Sequence, residues 1–321
     1  MQATSHPQPA RRRGALSLTG LRRPAGAHLR YRWYVPYLFL LPGLSLYLLW
    51  MVYPLGYEFY ISFFDWKIMP GQTSEFVGLE NYDKVLNDRN FWVALENTAR
   101  YTVITVAGQM VLGLALAVLI DRVFTGQRLF RAIYYVPVVT SWVVVSFLFQ
   151  FLFVSHPGGL VNYVLVEVLH VLSEPVAWMS EPGTAWIIIY SLGIWKGVGW
   201  AMVIFLAALQ GIPVELYEAA AIDGAGEWRR FRFVTLPLIR QTTLFIMIAL
   251  IIGGFQAFIS VLLITGGGPL HRTEVVLSYM YDRAFGRLWF GYGAAISYIL
   301  AAIIVSVSAV QMKLFSRPVE Y

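Results

Sequence analysis

At 321 residues, the chain is 58% hydrophobic and only 13% charged, with a mean hydropathy of +0.62. A water-soluble domain carries about 25% charged residues, so this chain has too few to wet the surface of a globule of its size and reads as a membrane protein. Cys is absent, which removes disulfides, thiolate metal sites and cysteine nucleophiles. The net charge of +6 is concentrated near the N-terminus, where anionic lipid rather than nucleic acid is the expected counter-charge.

Residues 1–32 form a basic arm holding Arg11, Arg12, Arg13, Arg22, Arg23, Arg30 and Arg32 without a single acid; its composition predicts disorder and contact with membrane lipids. Residues 33–321 read as one transmembrane domain. A helix crosses a hydrocarbon core of about 30 Å with about 20 apolar residues. Stretches of that kind run over 35–57, 101–120, 132–154, 186–209, 241–264 and 288–312, with Lys196 as the one charge among them. They are too long for strands and apolar all round, so the fold class is all-α with six transmembrane helices. The first stretch reads as a retained span, because no small-residue cleavage site follows it.

Basic residues orient these spans. Sixteen lie in the arm, the second and fourth loops and the tail, against seven in the first, third and fifth loops. The positive-inside rule therefore predicts both termini in the cytoplasm. The first outer loop, 61–100, carries six acids and several aromatics, and its length predicts local structure that caps the outer mouth or meets a soluble partner.

Within the spans, Pro42, Pro54 and Pro137 each delete a backbone hydrogen bond, and adjacent Gly253 and Gly254 weaken the fifth helix. Such breaks either border a cavity or serve close helix packing. A Lys at mid-membrane costs about 2.5 to 3.5 kcal/mol, so Lys196, flanked by Trp195 and Trp200, is expected to face protein or water.

The fourth loop, 211–240, reads GIPVELYEAAAIDGAGEWRRFRFVTLPLIR. Pro213 suits a first helical turn, a short helix follows over 214–222, Asp223-Gly224 supplies a turn and Glu227 opens a second helix. Within it, Glu218-Ala219-Ala220, three residues, Gly224, nine residues, Val234, one residue and Leu236-Pro237 resemble the EAA loop of ABC-importer membrane subunits, with Val234 in place of Ile. The stretches 81–102, 129–139, 158–165, 194–200 and 264–269 are similar to the sugar-permease family that includes the maltose and glycerol-3-phosphate importers, and to the first permease of its heterodimers. Gln241, where many members have proline, and the basic arm depart from the family pattern.

This resemblance implies a type I ABC importer permease fold in a bacterial inner membrane. It assigns ATPase coupling to Glu218, Ala219, Ala220, Asp223, Gly224, Leu236 and Pro237. It places Trp195, Lys196, Trp200, Gly253, Gly254, Phe255, Gln256 and Phe258 along the path of a sugar or related polyol. It also implies the partners: a second permease, two ATP-binding cassette subunits and an extracytoplasmic solute-binding protein. No GxxxxGK[ST] motif and no metal-ligand spacing occur in the sequence, so neither cofactor nor catalysis is expected on this chain, and ATP hydrolysis is expected in another subunit. The competing reading is an ion-coupled secondary carrier using Lys196; the EAA loop and the lack of a detectable internal repeat argue against it.

Overall fold

A computed structural model describes residues 32–122, 126–156 and 158–315. All but the last residue of the expected arm lies outside the described residues. The chain divides into two compact units, 1–54 and 55–321. In the first, the described residues form most of helix α1 (Val35–Ile61), which contains Pro42 and a π-helical turn, Leu48–Val52, just before Pro54. No side chain of this part is buried.

The second unit opens at the end of α1 with structure in the expected outer loop. Two short antiparallel strands, β1 (Phe64–Asp65) and β2 (Glu75–Phe76), precede helix α2 (Glu80–Leu86). The buried Asn81 side chain donates to the carbonyls of Ser62 and Phe64, both at 2.9 Å, and so pins the loop. Helix α3 (Arg89–Asp121) then starts on an Asp88 cap, whose carboxylate accepts from the Asn90 N–H at 2.8 Å. Burial pushes the Asp88 carboxyl up, but hydrogen bonds from Tyr279, Tyr292 and Asn90 outweigh this and hold it below its ordinary value. With 33 residues at about 1.5 Å each, α3 exceeds the membrane core and starts twelve residues before the expected span.

The third span departs from expectation. Instead of one helix over 132–154 there are two, α4 (Gln127–Val139) and α5 (Trp142–Leu152), bent by 95° at Thr140 and Ser141. In the expected third loop, α6 (Leu160–Val168, with a π-helical second half) is held by buried Asn162, whose carbonyl accepts from the Trp178 indole N–H at 2.8 Å. Helix α7 (Pro182–Gln210) is unbroken and heavily buried, and its long partner is α3. Between these two, Ala117, Ile120, Met202, Phe205 and Leu206 form part of one apolar core.

In the fourth loop lie α8 (Val214–Ile222) and α9 (Glu227–Leu238), and α9 continues into α10 (Arg240–Phe255) through a 66° bend at buried Ile239. This bend lies before the span expected over 241–264, which is itself not continuous. Gly253 and Gly254 remain helical, and the break follows at residues 256–258, before α11 (Ile259–Ile264). The Gln150 amide of α5 donates to the Leu263 carbonyl of α11. Helices α12 (Val276–Tyr281) and α13 (Phe290–Phe315) close the chain. Among the described residues, four helices are long and apolar enough to cross a membrane, and six if each bent pair is one span.

Candidate functional site

Helices α3 and α7 approach closely enough to build a polar wall inside an apolar protein. On α3, the hydroxyls of Thr98, Thr102 and Thr105 each donate to the carbonyl four residues earlier, at 2.7–2.8 Å, so none is left bare. Gln109 donates to the Gly193 carbonyl at 3.0 Å, and a Cβ at Gly197 would lie 2.3 Å from the Gln109 amide. Only a glycine at 197 lets that side chain lie flat on α7.

Beside this wall is a cavity of about 550 Å³. Aromatic faces come from Tyr101, Trp142, Trp200 and Phe258, and hydrogen-bonding groups from Thr105, Gln109, Gln256 and Ser260. Of the eight residues expected along a path, Lys196, Trp200, Gly253, Gly254, Gln256 and Phe258 line this one space. Trp195 and Phe255 do not. Residues 195 and 200 point about 140° apart on a helix, and Trp195, 44% exposed, packs its ring against Phe149. Phe255 turns away into the core with Val276, Tyr279 and Ile296.

Lys196 is 4% exposed. Its ammonium donates to the carbonyls of Pro137 (2.8 Å), Val138 (3.3 Å) and Thr140 (2.7 Å), and lies 4.9 Å from the Trp142 ring centre. These carbonyls end α4, where a helix leaves its last acceptors without backbone partners.

Sequence reasoning missed Tyr101, Thr105, Gln109, Trp142 and Ser260. The first three carried a signal, since polar groups four residues apart mark one face of a helix. Trp142 carried none, because its place depends on the bend before it.

On the cytoplasm-assigned side, the fourth loop has the expected two helices. Pro213 is the residue preceding the first, with ψ 133°, rather than within its first turn. Gly224 has φ +77°, and the Ala225 N–H returns to the Ala220 carbonyl at 2.9 Å, which closes the helix end. Glu218, Ala219, Asp223, Gly224, Leu236 and Pro237 are exposed and Ala220 is half-buried. Around them Ile222, Trp228 and Phe233 are 87%, 69% and 71% exposed. One link ties the loop to its surroundings, where Glu227 pairs with Arg122 just beyond α3 at 2.9 Å, and one ties its two helices together, where Tyr217 bonds Thr235 of α9 at 2.9 Å.

Residues 109–317 match a family described as binding-protein-dependent transport system inner membrane component. The chain is 33% identical over 284 residues to the probable ABC transporter permease YurN of Bacillus subtilis (strain 168), covering 88% of this chain and 96% of that one. It is 34% identical over 281 residues to the arabinooligosaccharides transport permease AraP of the same organism, covering 87% and 88%. Its fold is shared with a solved bacterial alginate ABC transporter in complex with alginate pentasaccharide-bound periplasmic protein. The TM-score is 0.75 at 22% identity, over 88% of this chain and 93% of the other.

Proposed function

Since the chain belongs to the binding-protein-dependent transport system inner membrane components, the permeases of ABC transporters, we propose that it forms one half of the translocation path for a carbohydrate, driven by ATPase subunits docked on α8. The observation that carries this reading is the exposed Glu218-Ala219-Ala220 helix closed by a left-handed Gly224. Its small side chains permit close docking in a groove, and Glu218 is free to meet a basic residue there.

Movement of α8 would pass to α9, to which Tyr217 and Thr235 bind it, and from there reach the cavity by two routes: through the Glu227–Arg122 pair to α3, and along α9 into α10. Both α3 and α10 contribute cavity residues. The aromatic faces suit the C–H faces of a sugar ring, while Gln256, Gln109 and Thr105 suit its hydroxyls. A sister permease would supply the other wall and an external binding protein the cargo. The naming of AraP for arabinooligosaccharides and the binding-protein complex of the alginate transporter support these assignments.

The test is uptake into proteoliposomes holding the chain with its sister permease, its ATPases and a sugar-loaded binding protein. Uptake requires ATP, and Gln256→Ala or Trp200→Ala lowers it about tenfold while stimulation of ATP hydrolysis by the binding protein persists. Uptake driven by an ion gradient without ATP would exclude the reading.

A further inference from the structure

The ammonium of Lys196 occupies a cradle of three backbone carbonyls, all from one short stretch, 137–140, and all fifty-six or more residues away in sequence. An ammonium has three N–H donors, and each finds one of these oxygens. No acidic side chain among the described residues pairs with it. Its charge is balanced by the negative end of α4, by the freed carbonyls there, and by the face of Trp142.

The same contact joins α4 to α7. A Cβ at Gly199 would lie 1.9 Å from the Tyr134 carbonyl oxygen, so the two backbones touch three residues along from Lys196. Thr140 returns its hydroxyl to the Pro137 carbonyl at 2.6 Å, and Ser141 places no side-chain cap on α5. In a lipid environment, a helix that stops halfway must have its end carbonyls met by protein.

We propose that Lys196 is a positioning residue: a tethered cation that caps α4 from a neighbouring helix, maintains the 95° break in the third span and thereby holds Trp142 at the cavity wall. This deepens the permease reading and rests on it. It assigns the ammonium to the backbone rather than to a sugar hydroxyl, and predicts that Trp142 is the cargo-facing group that Lys196 serves.

The experiment uses the assembled transporter and the Cys-free background. Spin labels on Ile133→Cys and Phe147→Cys, both exposed and on opposite sides of the bend, read its angle as a distance. In Lys196→Met, which keeps a stem of similar shape but lacks the ammonium, the distance lengthens and broadens, and the uptake rate falls about tenfold at an unchanged apparent KM for the loaded binding protein. In Lys196→Ala, n-propylammonium replaces the missing stem and charge and restores both the distance and uptake. A wild-type distance in Lys196→Met overturns the proposal, whether uptake is normal or shows an altered KM; the altered KM would assign Lys196 to the cargo. A broadened distance in Lys196→Ala that propylammonium does not narrow also overturns it, since stem and charge supplied together would then fail to hold the bend. Failure of the unsubstituted transporter to import any carbohydrate sinks the permease reading instead, and the distance measurements still decide the role of Lys196.

Discussion

Gly224 turns the chain at φ +77°, a conformation that costs a residue with a Cβ about 1 kcal/mol or more. Nothing lies within 4 Å of the position a Cβ would take, so a substitution there strains the turn without a clash in the isolated chain. Gly224→Asp and Ala220→Arg are therefore expected to insert and fold, yet to lose the ATPase subunits on detergent purification or to hydrolyse ATP without uptake. Retained ATPases with normal uptake in both variants would remove the coupling assignment. At this scale the loop was legible in the sequence, because a motif of fixed spacing needs only local geometry. The cavity was legible in part. Lys196 and Trp200 are four residues apart and share a face of α7, whereas Trp195 reads as their companion only if helical direction is ignored.

Helices show the reverse pattern. Their number and approximate limits follow from runs of apolar residues, but the bends do not. Pro137 alone is compatible with a continuous span, and the break after Val139 is stabilised by a Lys on another helix, a contact that no local pattern announces. The fifth span was expected to weaken at Gly253 and Gly254. Gly254 instead serves packing, since a Cβ there would lie 2.7 Å from the Thr102 side chain, and the chain breaks just beyond. Close approach gives a test of how these elements are held together. Gly199→Ala forces α4 from α7 and is expected to cost about 2 kcal/mol or more, seen as a lower thermal midpoint of the purified complex. Gly253→Ala, with nothing within 4 Å, is expected to leave the midpoint unchanged or slightly higher. Equal losses in the two variants would mean that the α4–α7 contact does not govern stability.

For the whole molecule, orientation rests on the distribution of Lys and Arg. Cysteines placed in the Cys-free chain at Ser74 and Glu174 are expected to react with an impermeant thiol reagent applied outside sealed cells, and one at Gln127 is not. Labelling at Gln127 from outside would invert the topology and put the Glu218-Ala219-Ala220 helix on the wrong side for ATP. The carbonyl cradle around Lys196 bears on energy supply as well. A unit charge carried through the full membrane potential exchanges about 2.3 kcal/mol per 100 mV. Lys196 is the one formal charge within the six apolar stretches, and it is tied to backbone oxygens that move with it. Turning α4 and α7 within the membrane plane thus exchanges no work with the electric field, whereas displacing them together along the membrane normal carries this one charge with them.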